Sequence, residues 1–168
     1  MKKIAFLLFL IITLAGCSSA SHYSNKKLNK DYFFGKTIVF ILHPNSVDKI
    51  KKEGPNVGNL RQLDVKNIFK KSVEELANET KLNLKYEEYN YQVAQNEQLV
   101  SAEITSIRWI FTSSSATMQT DVKYHLNEVD KIIEIKGKFK NMMGGDEKPH
   151  LRKSFKNANY LLLEELGK

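Results

Sequence analysis

Thiols, imidazoles, hydroxyls and carboxylates are the groups from which a site is built, and this chain offers few of them in a recognisable pattern. Cys17 is the only cysteine, so no internal disulfide and no multi-cysteine zinc site can form. The histidines are His22, His43, His125 and His150. None stands four residues from another, as a helical metal pair requires, and there is no HExxH. A metal site from His43, His125 and a carboxylate would need tertiary contact; solvated or capping histidines are the default, and no metal and no cofactor is expected. Serines are numerous, but no Gly-x-Ser-x-Gly elbow occurs, and Ser113-Ser114-Ser115 has the composition of a turn. Glu87-Glu88 falls in a strand pattern, where neighbours point to opposite faces and make no catalytic dyad. Glu74-Glu75 lies on a solvated helix face. Gly144-Gly145 lacks the Lys and Ser/Thr of a phosphate loop, and Met142-Met143 reads as packing rather than as a soft-metal pair. No catalytic residue is expected, and the chain does not read as an enzyme. What stands out is aromatic: Tyr86, Tyr89 and Tyr91 are close in sequence, and Trp109, Phe111 and Tyr124 follow on later strands. Amphipathic aromatics supply much of the energy of interfaces and stack on sugars. Tyr89, Tyr91, Trp109 and Tyr124 are therefore the candidate binding residues, against the alternative that they simply cover the open face of a sheet.

Cys17 has a context of its own. Lys2 and Lys3 precede an apolar run from Ile4 to Leu14, and small residues follow. A positive region, a short apolar core and small residues are the parts of a secretory signal. A membrane-spanning helix needs about 20 apolar residues, more than the run provides. Leu14-Ala15-Gly16-Cys17 resembles the lipobox of bacterial lipoproteins, over the first 17 residues only. That resemblance implies cleavage before Cys17, a diacylglycerol on its sulfur and an acylated (palmitate-type) amino terminus. It also implies a location. Ser18 in place of aspartate directs a Gram-negative lipoprotein to the outer membrane, facing the periplasm; in a Gram-positive cell the anchor lies in the outer face of the plasma membrane.

Removal of residues 1–16 as signal peptide leaves 152 of the 168 residues and lowers the formal charge from +7 to +5. Residues 17–31 then comprise the lipidated cysteine and a polar tether, which reaches about 20 Å as a coil and about 45 Å extended. Residues 32–168 form one domain, large enough to rest on a hydrophobic core without disulfides. Most of the positive charge is lysine, with arginine only at Arg61, Arg108 and Arg152. Arginine forks dominate phosphate and base recognition, so nucleic acid is not an expected partner. Lysine solvates the surface, or favours an anionic lipid surface or acidic polymer.

The elements that must position the candidates follow from periodicity. Thr37 to Leu42 is a continuous apolar, β-branched run, as in a central strand buried on both faces. Residues 43–58 read as a loop, with one helical turn at Val47 and Ile50. A helix capped by Asn59 runs to about Glu79, with Leu60, Leu63, Ile68, Phe69, Val73, Leu76 and Ala77 on its apolar face. Leu82, Leu84 and Tyr86 alternate as a second strand. Leu99 to Phe111 is a strand whose buried parity switches between Ile104 and Ile107, which predicts a β-bulge. Met118 to Leu126 and Ile133 to Phe139 pair as a hairpin through Asn127-Glu128-Val129-Asp130. Leu151, Phe155, Ala158, Leu162 and Leu166 mark a closing helix behind Pro149. The expected fold is α+β: a single, mostly antiparallel sheet of about five strands with two amphipathic helices packed on one face. The apolar strand, the long helix after it and the closing helix resemble small envelope lipoproteins related to the curli-secretion lipoprotein and to the lipoprotein activators of penicillin-binding proteins.

The expected function is that of a membrane-anchored cell-envelope lipoprotein, a binding or assembly module for an envelope protein or a component of the cell wall or outer membrane. The alternatives are a lipid-anchored hydrolase or solute-binding protein with a pocket around the loop 43–58, and an immunity lipoprotein against a secreted toxin.

Overall fold

The computed structural model describes residues 23, 27–55, 62–126, 131–142 and 145–168. The signal residues, Cys17, the Asn59 cap and the Asn127–Asp130 turn lie outside the described residues. The elements run α1 (Lys30–Phe33), β1 (Thr37–Leu42), β2 (Lys51–Glu53), α2 (Val65–Thr80), β3 (Leu84–Glu87), β4 (Glu97–Phe111), β5 (Ala116–Leu126), β6 (Lys131–Asn141) and α3 (Glu147–Leu166).

The fold is α+β, with one open mixed sheet in the order β3-β1-β4-β5-β6 and β2 paired to β4. Among the described residues the sheet has six strands rather than the expected five or so, and it is mixed rather than mostly antiparallel. β1 lies between β3 and β4 and is parallel to both, and β2 is parallel to β4. Only the β4-β5-β6 meander is antiparallel. The parallel sense arises because β1 and β3 are joined through α2, and a crossover helix returns the chain to the same end of the sheet. β2 has no hydrophobic alternation to announce it. It exists because β4, at 15 residues, outruns the six residues of β1 and leaves Arg108 to Ile110 with an open edge.

β1 is buried from Ile38 to Ile41, as its unbroken apolar run requires of an interior strand. In β4 the register shifts between Ile104 and Ser106. One residue of bulge turns the parity over, so that Val100, Ala102 and Ile104, then Ile107 and Trp109, all reach the same core.

That core lies between the sheet and the two long helices. α2 packs over β1 and β3, α3 over β5 and β6, and the helices meet each other. Asp64 caps α2 by accepting from the Asn67 amide at 2.9 Å, and Lys81 ends it in the left-handed conformation. A buried polar chain ties the layers: the Tyr124 hydroxyl donates to Asn159 Oδ1 at 2.7 Å, and Asn159 Nδ2 donates to Ser72 Oγ at 3.2 Å. The short α1 is a third helix beyond the two expected. Asn29 caps it by accepting from the Tyr32 amide, and its Phe33 is buried, as is Leu28 just before it. Residues 28–31, assigned to a tether from composition, therefore carry packed structure.

Gly137 of β6 marks the closest approach of α3 to the sheet. A Cβ there would lie 2.3 Å from the Ser154 carbonyl oxygen and 2.8 Å from both Ala158 Cβ and Thr120 Oγ1. Gly137→Ala is expected to destabilise the fold by about 1–3 kcal/mol, the usual cost of overpacking a rigid contact. Urea unfolding, with an unchanged m-value, measures it.

Candidate functional site

The sheet face away from α2 and α3 is built by the opposite parity. β1 contributes Val39 and Ile41, and β4 contributes Leu99, Ser101 and Glu103. β5 contributes His125, whose register partner is Ser101. A connection crosses this face. β3 ends beside Ile41, whereas β4 begins beside Thr37, so residues 88–96 must run back along β1 to start a parallel strand. Tyr91 is where that crossing touches down, packed on Val39, Ile41 and Leu99.

The touchdown is held by charge. Lys85 of β3 reaches over β1 to Glu97 at 2.6 Å, and its ammonium also donates to the Tyr91 hydroxyl at 2.6 Å. That hydroxyl donates to Glu97 Oε2 at 2.7 Å, and the Ala94 amide donates to the same oxygen at 3.0 Å. The hydrogen bond from Lys85, then those from Ala94 and Tyr91, pull the Glu97 carboxyl down to about 2. The same carboxylate, followed by Tyr91, raises the Lys85 ammonium above its ordinary value.

Beside the crossing, His43 leaves the end of β1. Its amide still donates to the Ala102 carbonyl at 2.8 Å, and the turn behind it is pinned by Ser46, whose hydroxyl accepts from the Ile104 amide at 3.0 Å. The Asn45 amide donates to His43 Nδ1 at 3.2 Å, which places the proton of the neutral ring on Nε2. The imidazoles of His43 and His125 stack with centroids 5.7 Å apart, and Tyr89 stands edge-on to His43 at 5.8 Å. His125 Nε2 lies 3.2 Å from Glu103 Oε2.

These residues enclose a shallow cleft of about 440 Å3 lined by Ile41, His43, Tyr89, Tyr91, Leu99, Ser101 and His125. Ser101 is only 6% exposed, and its Oγ has no hydrogen-bond partner among the described residues. A buried hydroxyl without a partner is costly. Tyr89, by contrast, is 48% exposed and offers a ring to solvent. A second depression of about 360 Å3, at the bulge beside Asp121, Lys123, Glu134 and Lys136, is lined by charges that already pair with one another.

Four aromatic residues were expected to share one binding surface, and the structure divides them. Tyr89 and Tyr91 sit at the cleft. Trp109 is 4% exposed and Tyr124 is fully buried, both on the helix side of the sheet, so neither belongs to a surface site. Trp109 packs on Phe111 and His150. Burial pushes the Tyr124 hydroxyl well above its ordinary pKa. His43, His125 and a carboxylate do meet, but as a ring stack and one hydrogen bond. Among the described residues no group of three or more His, Cys, Asp and Glu could hold a metal ion. Ser101 and Glu103 were missed. Their parity on β4 was readable, but their meeting with His125 depends on the register of β4 against β5.

No protein-family model and no curated protein matches the chain. Among solved structures, it is similar to an uncharacterised protein at 4% identity and a TM-score of 0.40, covering 79% of this chain and 90% of that one. A hypothetical protein from Chlamydia trachomatis matches at 10% identity and 0.38, covering 78% and 93%. A homologue of neuraminyllactose-binding hemagglutinin from Helicobacter pylori matches at 10% and 0.35, covering 79% and 84%. Likenesses this remote carry no argument about function.

The clamp has a pH signature. With its carboxyl pulled down, Glu97 stabilises the closed crossing fully above its unfolded pKa of about 4.3, and this contribution is lost as pH falls through about 2. Carboxyl NMR is expected to show Glu97 titrating near pH 2, and Lys85→Met is expected to return its midpoint toward the ordinary range.

Proposed function

We propose that the protein is a lipid-anchored envelope module that binds a component of the cell wall or outer membrane in the cleft at His43, Tyr89, Tyr91, Ser101 and His125. The observation that carries this reading is the half-exposed Tyr89 ring standing edge-on to His43, itself stacked on His125, at the cleft. The charges around the cleft are already engaged, Glu97 by Lys85 and Glu103 by His125. An uncharged ligand with one apolar face and several hydroxyls suits such a lining: a saccharide ring stacks on Tyr89 and bonds to the imidazoles. Ser101 and His125 are register partners, but His125 Nε2 is turned to Glu103. That arrangement favours holding a ligand over activating a serine nucleophile. Attachment through the Cys17 sulfur, implied by the lipobox pattern, would keep the module at the membrane.

The cleft adjoins His43, so it also supports the solute-binding reading. Ligand size separates the two: a solute-binding protein holds a free monosaccharide, a wall-binding module only a longer glycan.

Calorimetric titration with glycan fragments of increasing length tests both readings. Tyr89→Ala is expected to weaken binding about tenfold or more, the effect of removing a central aromatic contact. Tyr124→Phe, which leaves Asn159 without its donor, is expected to cost about 1–3 kcal/mol of stability and to leave affinity unchanged. Equal binding by wild type and Tyr89→Ala, or a loss on Tyr124→Phe alone, would sink the cleft assignment.

A further inference from the structure

The described N-terminal segment is fastened to the domain well before β1. The Tyr23 ring lies 4.9 Å from that of Tyr160 and beneath the Lys156 ammonium at 5.7 Å. Leu28 is buried, and Asn29 Nδ2 donates to the Gly167 carbonyl at 3.0 Å, at the far end of α3. Only the six residue steps from Cys17 to Tyr23 remain to span the distance from a lipid anchor, at most about 20 Å when fully extended. The reach of about 45 Å expected from composition is therefore cut by half or more.

Surfaces within about 20 Å of Tyr23 can then meet the bilayer, and the end where the parallel strands begin is one of them, reached from Tyr23 along the last turns of α3 to the Asn29–Gly167 contact. At that end the turn between α1 and β1 projects Phe34, which is 87% exposed, the highest value among the exposed large apolar side chains of the described residues. Gly35 beside it, at φ +71°, has open space where a side chain would be. Lys27, Lys30 and Lys36 flank the turn and are exposed, Lys36 with its ammonium 4.0 Å above the Tyr32 ring. Asp31, within α1, is an exposed acid beside them, and Glu165, in the last turn of α3, is paired with Lys168.

We infer that this turn is a membrane-docking device. Phe34 enters the interface of an anionic bilayer while Lys27, Lys30 and Lys36 lie against the lipid phosphates. An exposed aromatic with exposed lysines two, four and seven residues away in sequence fits that boundary, where apolar burial and attraction to anionic headgroups act together. Docking would fix the height of the cleft, because Ile41 lies four residues along β1 from Thr37, about 13 Å farther from the membrane. The inference rests on the lipid attachment proposed at Cys17.

Lipidated full-length protein carrying Phe34→Cys provides a single labelling site, because lipidation occupies the Cys17 sulfur. A nitroxide at that position, in phosphatidylcholine vesicles with and without phosphatidylglycerol, reads depth by collision with lipid-soluble oxygen against a water-soluble nickel chelate. Met142→Cys serves as the control, since Met142 is 65% exposed and follows β6 at the opposite end of the sheet. The expected result is loss of nickel collisions at residue 34 but not at residue 142, strongest with phosphatidylglycerol and reversed when Lys27, Lys30 and Lys36 are all changed to Gln. A label at residue 34 as open to nickel as that at 142, on protein whose mass shows an acylated Cys17, overturns the docking and leaves the anchor reading intact. A mass without the lipid overturns the anchor reading and the docking with it.

Discussion

Three neighbouring strands, β3, β1 and β4, all run the same way, and the chain must therefore return across the sheet twice. The first return is made by α2 on the helix side. The second has only residues 88–96 and passes over the bare face. A parallel return without a helix leaves backbone crossing apolar side chains with nothing of its own to bury. The triad of Lys85, Tyr91 and Glu97 supplies the missing fastening, bringing the Tyr91 ring onto Val39, Ile41 and Leu99. Everything on that face follows from this touchdown. The crossing roofs part of the sheet, holds Tyr89 next to His43, and leaves the cleft between its edge and β5.

Parity then decides which chemistry can meet. Each strand has two faces, and the helix side takes the bulky apolar set together with Trp109 and Tyr124. The other side keeps Ser101, Glu103 and His125, which were the polar members of the same strands. The bulge between Ile104 and Ser106 matters to both sides. It restores the core beyond its position, and it ends at Glu103 the run of odd-numbered β4 residues on the bare face. The polar chain from Tyr124 through Asn159 to Ser72 serves the interior alone, binding β5 to both helices.

Much of this was legible in the sequence. The unbroken Thr37–Leu42 run announced an interior strand, the parity switch in β4 announced the bulge, and the stripe from Leu151 to Leu162 announced α3. Strand direction was not legible, because alternation reads the same in parallel and antiparallel pairs. β2 was hidden because Lys51-Lys52-Glu53 has no pattern and is held by the spare length of β4. The four candidate aromatics were grouped by type, but Tyr124 and Trp109 carry the core parity of their strands, while Tyr89 and Tyr91 lie in a connection with no parity. His125 showed the outward parity; only the fold could bring His43 beside it.

The anchor pattern and the cleft are best understood as one arrangement. A site at the end of a long, loose tether would sample a wide shell above the membrane. Tyr23, Leu28 and Asn29 remove most of that freedom by binding the N-terminal segment to α3. A lipid on Cys17 would then confine Tyr23 and its contact on α3 to within about 20 Å of the bilayer. Confinement of that kind raises the effective concentration of a binding site toward whatever lies at the same height. A shallow cleft with one stacking ring and a few hydrogen-bonding groups has modest intrinsic affinity. Under the proposed function it would gain most from being held beside a ligand that is itself fixed in the envelope.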